Sequence, residues 1–157
     1  MKKIALLLLF TIMTLSLSAQ MPQAATWTSS VEMTSAKEGI IIMKMTVNKG
    51  WHVYSTEVVE GGPKAMVFDL SASTGVQLIG DPTPSIKPTK KFDDMFQATL
   101  NYWSQNVVFK QKFKITNKKK AKIDGYVQFQ ACNDESCMPP KKITIAPTIP
   151  TYKATKK

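Results

Sequence analysis

Polar and apolar residues alternate along most of this chain with a period of two. Trp27, Ser29, Val31 and Met33 interleave with Thr28, Ser30, Glu32 and Thr34. Residues 40–47 form a β-branched and methionine run in which Ile41, Met43, Met45 and Val47 hold one side and Lys44 and Thr46 interrupt the other. Asn48-Lys49-Gly50 reads as a turn into residues 51–54, and residues 66–70 and 76–79 are two more short apolar segments. The clearest stripe places Val107, Phe109, Phe113 and Ile115 on one face and Lys110, Lys112 and Lys114 on the other. Residues 121–131 alternate again, with Ile123, Val127 and Phe129 inward, and Ile143 and Ile145 mark a last strand. Alternation of this kind marks strands buried on one face. No segment carries a helical period. Strands recur about every ten residues between turn-forming stretches, which predicts an all-β, antiparallel, immunoglobulin-like sandwich.

Two stretches break the pattern. Residues 56–64 are polar and glycine-rich, and residues 81–94 carry Pro82, Pro84 and Pro88. Proline cannot donate to a strand ladder, so the second stretch is expected as a long loop, and long ordered loops on a rigid scaffold tend to carry function. Residues 147–157 read as a polar, proline-punctuated, flexible tail.

The first nineteen residues differ in kind. Met1-Lys2-Lys3 precedes the apolar run 4–10, a weaker continuation and then Ser16-Leu17-Ser18-Ala19, the layout of a secretory signal peptide cleaved after Ala19. The expected product is a domain over residues 20–146 with the tail 147–157, periplasmic or secreted, soluble and monomeric. No later apolar segment has spanning length.

The formal net charge is +10, and all 21 basic residues are lysine. Bidentate recognition of phosphates and bases favours arginine, so a lysine-rich solvated surface is a better reading than a nucleic-acid site. With one histidine, no Gly-x-Ser-x-Gly and no convincing pair of carboxylates, hydrolytic chemistry has little to build on.

The two cysteines change the picture. Cys132 and Cys137 are the only ones in the chain and enclose Asn133-Asp134-Glu135-Ser136, a turn composition. In an oxidising compartment two such neighbours can form a disulfide at the tip of a hairpin. Closing a loop of about six residues contributes roughly 2 kcal/mol in the chain-entropy model, less than the ~3 kcal/mol of a fifteen-residue loop. A domain with an ample core gains little from it, so exchange chemistry and an inert bridge stand level on spacing alone. Asp134 and Glu135 disfavour a thiolate, which suits a disulfide that is attacked when oxidised better than a strongly acidic attacking thiol. Pro139 and Pro140 limit backbone pairing beside Cys137 and favour an open approach to its sulfur. Two other classes remain. Cys132, Cys137, Met138 and His52 are soft or borderline donors suited to Cu(I), although most methionines sit at strand spacing, where core packing explains them. A plain exported binding module with a structural bridge is the other.

Residues 127–132 followed by Cys137-Met138-Pro139-Pro140 resemble the aromatic-Gln-x-Cys…Cys-x-Pro-Pro pattern of the amino-terminal periplasmic domain of the DsbD family of thiol:disulfide interchange proteins. Gly50-Trp51-His52-Val53-Tyr54 resembles that family's Gly-aromatic-x-aliphatic-Tyr strand. Lys91-Phe92-Asp93-Asp94-Met95-Phe96 resembles its cap segment, with Leu100-Asn101-Tyr102-Trp103 following. The resemblance covers residues 25–146. It implies a Cys132–Cys137 pair that relays electrons, without a cofactor or metal, to thioredoxin-fold proteins, with a separate membrane protein as electron donor. It implies that Cys137 forms the mixed disulfide and that Phe92, Asp93, Asp94, Met95 and Phe96 form a cap, with Phe96 or Met95 over the sulfurs. It places His52 and Tyr54 near the site. Without the resemblance, Phe96 reads equally as core and Asp93 and Asp94 as solvated turn acids.

Overall fold

The computed structural model describes residues 23–153. Residues 1–19, read above as a signal peptide, lie outside them. Eleven strands and no helix occur among the described residues: β1 (Ala25–Met33), β2 (Glu38–Val47), β3 (His52–Tyr54), β4 (Val67–Asp69), β5 (Val76–Pro84), β6 (Thr89–Asp93), β7 (Ala98–Trp103), β8 (Val107–Ile115), β9 (Gly125–Phe129), β10 (Ala131–Cys132) and β11 (Lys141–Ile145). They form three antiparallel sheets, in the orders β1-β2-β8-β5, β10-β3-β7-β6 and β11-β9-β4. The first is one layer of an immunoglobulin-like sandwich and the other two make up the second layer.

Period-two alternation builds the core between the layers. Ile41, Met43 and Met45 of β2 and Val107, Phe109 and Phe113 of β8 point inward from the first sheet. They meet Val53, Trp103, Val127, Phe129, Ala131 and Ile145 from the second layer in one contiguous cluster. Trp27 joins the layers, stacking on Phe109 with ring centroids 5.7 Å apart and tilting against Phe129 at 5.8 Å. Lys110, Lys112 and Lys114 face solvent, as the alternation requires.

Two sequence expectations are corrected. Residues 81–94 are not one long loop: β5 continues to Pro84 and β6 begins at Thr89. The prolines are accommodated because β5 lies at the edge of its sheet and pairs with β8 alone, where missing N–H donors face no second partner. The ladder skips between Ile79 and Thr83, at a bulge containing Gly80 with φ of 65°. Gln111 serves this bulge. It occupies an inward position of β8, 2% exposed, and its Nε2 donates to the carbonyls of Ile79 and Gly80, each at 3.0 Å. A buried amide is tolerated there because it satisfies carbonyls that the ladder leaves free.

The second correction concerns residues 121–131, read as one strand. The regular strand starts at Gly125 and breaks at Gln130, where the chain passes from the β9 sheet to the β10 sheet. Gln130 fixes the corner: its carbonyl accepts the N–H of Tyr54 at 3.2 Å and its Oε1 accepts the N–H of Lys64 at 2.6 Å. Residues 147–153 have no regular secondary structure, and Ile149 packs against the core.

Candidate functional site: a disulfide beneath a hairpin loop

The sheet β10-β3-β7-β6 is apolar on both faces. Its inner face gives Val53, Trp103 and Ala131 to the core. Its outer face carries a second cluster built on Tyr54, Leu100 and Cys132, with Val59, Phe96, Ala98, Tyr102 and Cys137 packed against it. Directly opposed residues of antiparallel strands share a face. The register pairs Cys132 with His52 and Tyr54 with Tyr102, so these four side chains gather on the outer face.

Cys132 and Cys137 are joined as a disulfide. Asn133 shapes the turn between them: its Oδ1 accepts the N–H groups of Glu135 at 3.0 Å and Ser136 at 2.7 Å. The N–H of Met138 donates to the Ala131 carbonyl at 2.8 Å, closing the hairpin neck. Pro139 and Pro140 are exposed, and regular pairing resumes only at Lys141 with Phe129. The two sulfurs differ in access. Cys132 is 1% exposed, whereas Cys137 is only half-buried.

The turn joining β6 to β7 lies over this pair. Asp93 Oδ1 accepts the N–H groups of Met95 at 3.0 Å and Phe96 at 3.2 Å, an Asx turn that sets the direction of the loop. Gln97 closes it in the left-handed region, with φ of 51°. Met95 Sδ reaches to 3.2 Å from Cys137 Sγ, and the Phe96 ring meets Tyr54 edge-on at 5.7 Å. Both side chains therefore contact the cysteine cluster, Met95 at the sulfur itself and Phe96 through its neighbours. Phe92 and Asp94 are exposed and line the same cavity, of about 270 Å³, together with His52, Tyr54, Asp93, Met95, Tyr102, Cys132 and Asp134.

Asp93 departs from the reading of a solvated turn acid. Its side chain is 11% exposed, and its Oδ2 accepts the Tyr54 hydroxyl at 2.9 Å. Burial, and then this hydrogen bond, push the Tyr54 hydroxyl above its ordinary value, so it remains a donor at neutral pH. His52 Nε2 lies 3.1 Å from the same hydroxyl and 3.9 Å from Asp93 Oδ2, and its ring tilts on Tyr102 at 4.7 Å between centroids. Burial lowers the His52 pKa, with Asp93 and Asp134 opposing it in part.

The histidine has a measurable consequence. A folded-state pKa below the unfolded value of about 6.5 means that the unfolded chain binds more protons at mildly acidic pH. The associated stability is complete above pH about 6.5 and is lost as the pH falls through the folded value. Denaturant midpoints between pH 7.5 and 5 should therefore fall more steeply for the native chain than for His52→Gln. Parallel curves would remove His52 from the pH response.

Reasoning from the sequence missed Tyr102, Leu100 and Val59 as parts of the site. The available signal was in β7, where Ala98, Leu100 and Tyr102 alternate with Thr99, Asn101 and Trp103 and put large apolar side chains on both faces. A strand at the solvent surface needs only one such face, so two indicate a cover.

Residues 18–149 match the family model "Thiol:disulfide interchange protein DsbD, N-terminal". Among solved structures, the N-terminal periplasmic domain of ScsB from Proteus mirabilis is similar, with a TM-score of 0.55 and 17% identity over 80% of this chain and 46% of that one. The chain thus spans less than half the length of that structure, and the likeness bears on the fold. No match was found among curated proteins.

Proposed function

The chain belongs to the DsbD N-terminal domain family of thiol:disulfide interchange proteins, and from that premise we propose that it relays electrons between extracytoplasmic thioredoxin-fold proteins through a reversible Cys132–Cys137 disulfide. The observation that carries this reading is the unequal exposure of the two disulfide-bonded sulfurs beneath the loop that brings Met95 against Cys137. Disulfide exchange requires in-line approach of a thiolate to one sulfur while the other leaves. Cys137 is the accessible electrophile and Cys132 the buried leaving group.

The step balances without a cofactor. A partner thiolate attacks Cys137 Sγ, the Cys132–Cys137 bond breaks, and Cys132 departs as a thiolate that takes a proton. A second partner thiolate then resolves the mixed disulfide, leaving the partner oxidised and this domain as a dithiol. The run of the process in reverse is equally available, and the potentials of the partners set its direction.

In this reading the residues 92–96 act as a cap. Met95 blocks the line of attack on Cys137, and displacement of the loop by a docking partner opens it. Asp93 holds the loop through its two backbone acceptor bonds, and Tyr54 anchors Asp93. The periplasm is the setting that fits, with a membrane-bound reductant as electron donor.

An equilibrium redox titration against glutathione tests the proposal. A relay pair titrates near about −200 mV, within reach of thioredoxin-fold partners, whereas a structural bridge lies below about −300 mV. The second result would reduce the pair to a staple.

A further inference from the structure

We propose that Met95 is an oxidant-sensitive cover: a peroxide or a hypohalous acid converts its thioether to the sulfoxide, and the modified side chain leaves Cys137 and opens that sulfur to attack by a thiol. The inference rests on the reading of residues 92–96 as a cap. It does not rest on the electron relay, because a small dithiol reports it without any protein partner.

Exposure singles out the residue. The methionines among the described residues are Met33, Met43, Met45, Met66, Met95 and Met138. Met43, Met45 and Met66 are buried, and Met33 and Met138 pack half-buried against the core. Met95 is 51% exposed, in the turn between β6 and β7. Oxidation of sulfur follows access and nucleophilic character. The bonded cysteines offer no thiolate to compete, so a mild dose of oxidant reaches Met95 first.

The step balances with the oxidant named. The Met95 sulfur gives an electron pair to one peroxide oxygen, the O–O bond breaks, and the second oxygen leaves as hydroxide that takes a proton to become water. Methionine loses two electrons, the peroxide gains them, and the Cys132–Cys137 bond is untouched.

The consequence follows from what Met95 touches. As a thioether, its Sδ lies 3.2 Å from Cys137 Sγ, a contact between two polarisable sulfurs. The sulfoxide is polar, and its oxygen is a strong hydrogen-bond acceptor. Neither sulfur of the disulfide carries a hydrogen to donate. Holding that oxygen against the pair forfeits hydrogen bonds that water, already around half of the side chain, supplies. The loop need not unwind for the side chain to leave. Asp93 Oδ1 keeps the N–H groups of Met95 and Phe96, so a change of rotamer uncovers Cys137 while the turn persists. Oxidising conditions thus speed exchange at Cys137, and sulfoxide reductases restore the cover.

The test uses the whole chain with its disulfide formed. It is treated with hydrogen peroxide, freed of the reagent and reduced with excess dithiothreitol, while free thiols are counted over time by maleimide labelling. Tryptic peptide 92–110 has Met95 as its one methionine and should gain an oxygen there by fragment mass. Reduction of the disulfide should then run at least about fivefold faster than before treatment. In Met95→Leu, peroxide should leave the rate where it was, which separates Met95 from Met138 beside the pair. Met95→Ala, with the cover cut away, should match the peroxide-treated native chain. A fast Met95→Ala beside a slow sulfoxide chain overturns the proposal and leaves the cap standing. Slow reduction in both overturns the cap as well. Equal acceleration of Met95→Leu and the native chain by peroxide also overturns the proposal. Dithiothreitol opens a relay pair and a structural bridge alike, so these outcomes are separate from that of the redox titration.

Discussion

A Cys132→Ser variant is expected to accumulate a mixed disulfide through Cys137, in at least about tenfold excess over the adduct formed by Cys137→Ser. Exchange rates depend on which sulfur can be reached and on the thiolate available there. In Cys132→Ser the remaining thiol is half-buried and borders the exposed prolines, whereas in Cys137→Ser it is 1% exposed, on the strand paired with β3. The reaction to follow is that of each variant with a single-cysteine thioredoxin-fold protein activated as its nitrothiobenzoate disulfide. The thiolate attacks the partner's sulfur, a protein–protein disulfide forms, and one coloured nitrothiobenzoate anion leaves per adduct. Neither variant can resolve the adduct, because its second thiol is absent. Equal yields would show that the unequal access of the two sulfurs does not direct the chemistry. A higher yield from Cys137→Ser would transfer the attacking role to Cys132.

The largest expected effect on stability lies at Gly125. This residue opens β9 where β4 crosses closest, and a Cβ placed there would sit 2.0 Å from the Asp69 carbonyl oxygen and 2.7 Å from Leu70 Cα. Both obstacles are backbone atoms held by the pairing of β4 with β9, so no side-chain rotation relieves the clash. Overpacking at rigid sites costs 1–3 kcal/mol and occasionally more, and Gly125→Ala is expected at about 3 kcal/mol or above. That is a large share of the 5–15 kcal/mol that stabilises a typical domain, and corresponds to a fall in melting temperature of roughly 10 °C. Thermal unfolding of the oxidised variant checks it. A shift within about 2 °C of wild type would mean that β4 moves aside freely.

The sandwich was legible because strands buried on one face stamp a two-residue period on the sequence, and β1, β2 and β8 show it directly. The passage between sheets at Gln130 was not, since an uninterrupted alternation from 121 to 131 says nothing about which neighbour each half pairs with. The strand character of residues 81–84 was obscured for another reason: prolines argue against a central strand, and only topology reveals that β5 is an edge. At the site, the cysteines stood out as the chain's one closely spaced pair, and the segment 92–96 through family resemblance, neither of them through periodicity. The position of Asp93 was hidden because a carboxylate in a turn is ordinarily solvated. Its burial depends on a tyrosine 39 residues earlier in the chain. Gln111 was likewise passed over within the β8 stripe, because a polar residue at an inward position gains meaning only from the bulge it serves.

The free edge of β6 borders the disulfide end of the molecule, and four of its five residues, Thr89, Lys90, Lys91 and Phe92, are exposed. An unpaired edge offers its backbone to any other strand, and a second molecule of the same chain carries the same edge. Two such edges laid side by side would bring their ammonium groups together at the inter-strand spacing of about 4.8 Å. Fibril-like zippering is thereby penalised at the rim of this sheet that lies opposite the cysteine strand.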